Sequence, residues 1–375
     1  MDAIRLVSLR SLKYLILGFL LTSISQRLYG GCCLFPTPPP RPRTRVDSIY
    51  VPVPGERVEW DHSNVKEVVQ MTSTSDGDER QPCVSPNGKY VAFVSRPQSR
   101  KSGEQVSNDV YVVNADDGSN RRQVTNTEGD QDVYYPYWWT GNDRLLYSRW
   151  DGPPYSTRSL YWHDFPAKQL EGYSIVRREN AFWTGGTDLV SGFPSPDGKG
   201  IAVCLNTPPN RKTRIVNPDV FRRQPQLENP QILIFDVGTK QASYFASGSD
   251  PAWSPDGKNI AYAQTRGDNS FIMVRSIETK EERQITEGTD CVDWMPCWSP
   301  SGNAIAFASW RDKDWNIYKV DADGNNTMKL TTSKGTEWDP SWGPGGYIYF
   351  SFLQKGQGQD WDIWRLQLKP PSGLK

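Results

Sequence analysis

Carboxylates and arginines recur along this chain at matched intervals. Acids stand shortly before one repeated apolar phrase: Asp76 and Asp78, Asp130 and Asp132, Asp188, Asp250, Asp290 and Asp293, then Glu337 and Asp339. Arginines stand shortly after it, at Arg96, Arg149, Arg266 and Arg311. Groups so placed could do three kinds of chemistry. Two carboxylates about 5–10 Å apart could act as acid and base on a glycosidic bond. A charged funnel of acids and arginines could receive a cationic or polyhydroxyl ligand, or a loop of a partner. Alternatively, acid and arginine pair with one another and pin neighbouring elements, at about 0–1 kcal/mol each where exposed. A ring of like carboxylates is costly unless paired or neutralised. The acids sit at repeat-equivalent positions, as pairing predicts, whereas a catalytic pair should break the symmetry.

The elements that must hold these groups follow from the phrase itself. PAWSPDGKNIAYAQTR (251–266) has relatives in QPCVSPNGKYVAFVSR (81–96), YPYWWTGNDRLLYSRW (135–150), SGFPSPDGKGIAVCLN (191–206), MPCWSPSGNAIAFASW (295–310) and DPSWGPGGYIYFSFL (339–353). Aligned on the serine of Ser-Pro-Asp-Gly, the copies anchor at 85, 139, 195, 254, 299 and 343, a unit of about 44 residues with insertions in the early copies. A second alternating run follows in DVYVVNADDG, QILIFDVGTK, FIMVRSIETK, NIYKVDADG and DIWRLQLK, and a third short run ends in Thr125, Thr286 or Thr331. Alternating runs joined by turn residues are antiparallel hairpins. Four strands per unit, repeated radially, predict an all-β fold: a six-bladed β-propeller of four-stranded antiparallel blades. Pro-x-Trp is then the innermost strand, with Trp138, Trp253, Trp298 and Trp342 packing between blades. Pro-Asp-Gly is the turn, the proline presetting φ and the glycine admitting a positive φ.

The phrase closely resembles the WD-like propeller repeat of the TolB type, over about residues 65–369. The resemblance implies a six-bladed propeller. The last copy lacks a third run of its own, while Val65 to Thr72 matches that run ahead of the first anchor. An N-terminal strand is therefore expected to close the ring. TolB proteins carry an α/β domain before the propeller; too few residues precede the first repeat here for one, which puts a literal Tol–Pal role in doubt.

The first residues read as a targeting segment. Arg5, Arg10 and Lys13 precede the apolar run Tyr14 to Ile24, short for a membrane span, and small residues at Ser23 and Ser25 fit a signal peptidase. We read 1–25 as a signal peptide, with an uncleaved anchor as the alternative. Lipidation at Cys32, with a lipoprotein signal to 31, is a second possibility, since LYGGC loosely resembles a lipobox. Residues 26–50 form a Pro-rich tether, 51–369 the propeller and 370–375 a tail. Hydrophobic residues are 36% and aromatic ones 12%, with 15 Trp, 31 Gly and 29 Pro, a β-rich rather than helical composition. Lysine and arginine number 43 against 43 acids, so no nucleic-acid-binding field is expected. Among six cysteines, Cys83 and Cys297 sit at equivalent positions; buried thiols are expected, with one bridge possible.

Signatures of the common enzyme classes are missing. There is no Gly-x-Ser-x-Gly elbow, dinucleotide loop or phosphate loop. The sequence ends soon after the last repeat, so no peptidase domain is expected. Of two histidines, His163 lies on a strand and His62 in a surface loop, and a structural role suits both. Asp321-Ala-Asp323-Gly324 and Asn114 to Gly118 could present oxygens to calcium but also make good turns. We expect no metal and no cofactor. Long insertions at 150–159 and 207–229 could carry binding. The reading is an exported binding module, periplasmic or outer-membrane-associated, with a lipid anchor as the alternative to a cleaved signal. Its partner would be a protein of the cell envelope or a small polar or glycan ligand; a membrane is met through the signal or lipid alone. Its candidate site comprises Asp130, Asp132, Asp290, Asp293, Glu337, Asp339, Arg96, Arg149, Arg266 and Arg311. The alternative is a carbohydrate-active hydrolase or lyase using funnel carboxylates.

Overall fold

Each anchor serine ties its own hairpin. Ser85, Ser195 and Ser254 donate through Oγ to Asn87, Asp197 and Asp256 at 2.6–2.7 Å, and accept from the backbone N–H five residues on at 2.8–3.0 Å. The same Asx side chains accept the N–H of Lys89, Lys199 and Lys258 at 3.0 Å. Gly88, Gly198 and Gly257 follow with φ near +70°, which glycine adopts without steric cost. The repeated phrase is thus a self-closing turn.

These turns join the first two strands of six four-stranded antiparallel sheets in a computed structural model. It describes residues 64–73, 77–97, 107–127, 131–150, 158–165, 173–174, 189–205, 230–333, 335–354 and 360–370. The first strand of the chain, β1 (Val65–Gln70), stands apart from the first blade, which is β2 (Gly77–Val84), β3 (Tyr90–Pro97), β4 (Asp109–Asn114) and β5 (Arg122–Gln123). Blade 2 is β6 (Asp132–Trp138) to β9 (Tyr173–Ser174), and blade 3 is β10 (Leu189–Pro194) to β13 (Ala242–Ser247). Blade 4 is β14 (Ser249–Trp253) to β17 (Glu282–Gln284), and blade 5 is β18 (Asp293–Trp298) to β21 (Met328–Lys329). Blade 6 contains β22 (Thr336–Trp342), β23 (Tyr347–Leu353) and β24 (Trp361–Leu368). Its fourth strand is β1, paired antiparallel with β24 from Val65–Leu368 to Gln70–Trp364. The expected closure by an N-terminal strand is what the structure has.

The second strand of each blade is buried on both faces, as its apolar run requires. Phe93, Phe307 and Phe350 have no exposed surface, and burying such a ring contributes roughly 1.5–3 kcal/mol. Indole N–H groups then stitch blade to blade: Trp138 donates to the carbonyl of Cys83, Trp253 to Phe193 and Trp298 to Ala252, at 2.9–3.0 Å. The threonine ending each third run also has a structural task. Thr72, Thr125, Thr286 and Thr331 accept, at 2.8–2.9 Å, the N–H of Ile363, Val110, Ile272 and Ile317. In the last blade the hairpin is one residue shorter. A 3-10 turn, Pro344–Gly346, replaces the Asx turn, with Gly345 and Gly346 at φ 74° and 77°.

Candidate functional site

The innermost strands do not run smoothly down the central channel. Register shifts fall between Arg80 and Cys83, Tyr134 and Tyr137, Ser249 and Ala252, Trp294 and Cys297, and Trp338 and Ser341. Each is a β-bulge, two residues facing one, and each bulge holds a proline. The residue before that proline is left-handed: Gln81, Tyr135, Asp250, Met295 and Asp339 have φ of 52–57°. For a residue with a Cβ this conformation costs roughly 1–2 kcal/mol, and the bulge repeats it blade after blade. Blade 3 differs, its irregularity lying between Leu189 and Ser191.

Below the bulges lies a cavity of about 500 Å³. Its wall is formed by the bulge residues, the strand residues after them and the Ser-Pro turns, so it belongs to the turn face of the propeller. Prolines, indoles and thiols supply most of the lining, and two carboxylates interrupt it, Asp250 and Asp339. Asp250 is 8% exposed and accepts from Ser249 Oγ at 2.9 Å. Burial, with Asp339 adding like charge, raises its carboxyl to about 6 against the hydrogen bond from Ser249. Asp339 accepts from Ser351 Oγ at 3.0 Å. Burial raises it to about 6 as well, opposed by Ser351, by the charge of Arg80 and by the Gln81 N–H. Tyr137 lines the same cavity, its ring centroid 4.4 Å from that of Phe193. Its hydroxyl lies well above its ordinary pKa through burial, with Cys83, Cys297, Asp339 and Asp250 all pushing the same way. A tyrosine so placed stays a neutral donor at any physiological pH.

The two channel thiols are inert by the same physics. Burial raises Cys83 to about 12 and Cys297 to about 11, so neither is a thiolate at neutral pH. Cys83, Cys204, Cys291 and Cys297 are free thiols, and Cys32 lies outside the described residues.

The sequence-based candidates divide between the two ends of the channel. Asp339 faces the turn-side cavity; the other described ones belong to strand ends and loops on the opposite side, and there several are already paired. Asp293 is fully buried, accepting from Arg311 at 2.8 Å and from Ser309 Oγ at 2.5 Å. Glu79, at the equivalent strand position in blade 1, is held by Arg121, and Glu337, at that position in blade 6, by Ser333. Asp132 caps the Asn108 N–H at 2.9 Å. Arg149 stacks 3.9 Å above the Tyr161 ring and donates to its hydroxyl. Arg266, exposed, binds Gln264 and Gln284, while Arg96 and Asp290 are exposed. His163 is buried with Nδ1 2.9 Å from the Tyr147 hydroxyl, a structural place. Asp323 accepts the Asn325 N–H at 3.0 Å in an Asx turn. Asp130, His62, the tether, the 207–229 insertion and most of 150–159 lie outside the described residues.

Asp250 and Tyr137 are the residues that reading for a candidate site passed over. A signal for Asp250 existed: an acid directly before the proline of Pro-x-Trp, found in Asp250-Pro251 and Asp339-Pro340 and in no other copy.

Comparison with known proteins fits this architecture. The TolB beta propeller domain matches residues 212–369, from the insertion in blade 3 through blade 6. Over those residues the propeller matches the TolB type. A solved TolB from Acinetobacter baumannii superimposes with a TM-score of 0.52 at 16% identity, over 76% of this chain and 66% of that one. A gluconolactonase from Xanthomonas campestris shares the fold at TM-score 0.53 and 13% identity, over 84% of this chain and 94% of the other. An oligogalacturonate lyase from Vibrio parahaemolyticus does so at 0.50 and 14%, over 84% and 98%. Among curated sequences, dipeptidyl-peptidase 5 of Porphyromonas gingivalis is 25% identical over 330 residues. That match takes in 75% of this chain but 45% of the peptidase, so the chain spans about half of its relative.

Proposed function

We propose that this chain is an exported binding module, and that its site is the channel opening on the turn face. The observation that carries the reading is the cavity of about 500 Å³, apolar in most of its wall and lined by the buried Asp250, the half-buried Asp339 and Tyr137. Ligand sites are typically of this size and make-up. The export half rests on the charged, apolar and small-residue order of the first 25 residues. The occupant is a small polar ligand or the tip of a partner in the cell envelope. The test is crosslinking in intact cells with the tagged full chain, mapping the crosslinked peptides by mass spectrometry. Crosslinks concentrated on the Ser-Pro turns are expected; crosslinks confined to the opposite face, or none above background, would contradict the reading.

A second reading has one observation behind it. Asp250 and Asp339 break the six-fold symmetry, and a carboxyl poised near 6 can exchange protons at neutral pH. This is what a hydrolase or lyase on sugar acids or lactones would need. Turnover of such substrates, lost in Asp250→Asn while the fold is kept, would favour the enzyme; loss of capture without any turnover favours the module.

A further inference from the structure

The channel has the wrong charge to be empty of a counter-ion. Two carboxylates line it, and among the described residues no lysine, arginine or histidine does. The nearest cation acting on Asp339, Arg80, is engaged elsewhere: its guanidinium lies 2.7 Å from Asp78 and 4.7 Å above the Trp361 ring. At the opposite end of the channel the buried Asp293 and Glu79 are each met by an arginine. Asp250 has no ion-pair partner among the described residues. It receives one hydroxyl through Oδ2, and its Oδ1 has no hydrogen bond from a described residue although the side chain is more than nine-tenths buried. The Tyr137 hydroxyl likewise has no hydrogen-bond partner among the described residues, and both carboxylates act on it.

We propose that the occupant of this channel carries one ammonium or guanidinium group on an apolar body, and that Asp250 and Asp339 receive that group. The inference rests on the channel being the binding site and names the chemical class it takes. Three features select an organic cation over a metal ion. A divalent ion such as calcium needs six or more oxygens, and no three His, Cys, Asp or Glu among the described residues are placed to hold a metal. The blade between the two acids contributes Met295, a thioether that suits methylene groups rather than a hard ion. Much of the remaining wall is indole, phenol and proline; aromatic faces attract a cation electrostatically, and the apolar wall buries its stem. A monocation between two like charges also relieves the repulsion between them. A free amine and a basic side chain of a protein partner present the same group.

The test is titration of the purified full chain at pH 8, read by calorimetry and tryptophan fluorescence. The probes are phenethylammonium, its neutral counterpart 2-phenylethanol, an acetylated and amidated tripeptide with a single lysine, and calcium chloride. We expect one or both amines to bind at least tenfold more tightly than the alcohol, and Asp250→Asn or Asp339→Asn to remove at least tenfold of that affinity. Preference for phenethylammonium points to a free amine, and preference for the peptide to a partner's side chain. Should either Asn variant fail to fold, Met295→Lys places a tethered ammonium beside both acids and is expected to abolish amine binding. Equal binding of alcohol and amine would overturn the cation and leave the channel a ligand site. Binding of calcium in place of the amines would overturn the organic class. Failure of every probe would overturn the proposal, and the crosslinking experiment would then decide the fate of the channel itself.

Discussion

The two ends of the central channel use the same side chains in opposite ways. At the end where the innermost strands begin, Glu79, Asp293 and Glu337 are buried and held by Arg121, by Arg311 with Ser309, and by Ser333. At the turn end, Asp250 accepts from Ser249, Asp339 accepts from Ser351 and the Gln81 N–H, and Asp339 adds like charge to Asp250. At Asp293 an arginine and a hydroxyl work against desolvation, although burial still raises its carboxyl. At the turn end neither acid is in an ion pair among the described residues, and burial raises both carboxyls to about 6. Repetition marks the scaffold, and its interruption marks the site.

That contrast can be broken most severely at the paired end. Arg311→Met strands the fully buried Asp293 without its cation, and removing one partner of a buried pair costs about 3–5 kcal/mol. Chemical denaturation should show that loss; a change under 1 kcal/mol would mean that Asp293 is not charged in the fold. The turn end should respond with the opposite sign. Asp250 is raised from 3.8 to about 6, so the folded state binds more protons than the unfolded one between those values. Stability therefore falls as pH rises from about 4 to about 6 and is level above. Asp250→Asn removes this loss and should stabilise the protein at pH 7.5 by of order 2 kcal/mol, with no gain below pH 4. Melting curves across pH check the sign. Smaller still is the chemical signature of the channel thiols. Cys83 and Cys297, raised to about 12 and 11, should resist iodoacetamide at pH 8 in the folded chain and react fully in denaturant. The smallest effect belongs to the exposed arginines: Arg266→Ala should move stability by no more than about 0.5 kcal/mol, as surface changes do.

Much of this was legible from the residues. The six aligned anchors fixed the blade number, the unpaired Val65–Thr72 run fixed the closure, and the terminal threonines marked where the fourth strand ends in four blades. The candidate site was legible only in part, and the reason is local. Acids four and six residues before the anchor share one face of a regular strand, so alternation groups Asp339 with Glu337 and Asp250 with the same mouth. A bulge with a left-handed residue lies between. It breaks the period of two, sending Glu337 into the blade and Asp339 into the channel. Alternation cannot report a bulge; the proline after each left-handed residue is the mark that does. Asp130 and the 207–229 insertion lie outside the described residues, and their part in binding stays as the sequence presents it.

The central claim is that two carboxyls at the turn end, Asp250 buried and Asp339 half-buried, have no ion-paired cation among the described residues. Carbon-13 NMR titration of the aspartate carboxyls, assigned with Asp250→Asn and Asp339→Asn, measures this directly. Two resonances titrating near pH 6, each missing from one variant, is the predicted result. Both titrating near pH 4 would mean that channel water solvates them fully, and the distinction between the two ends would fall.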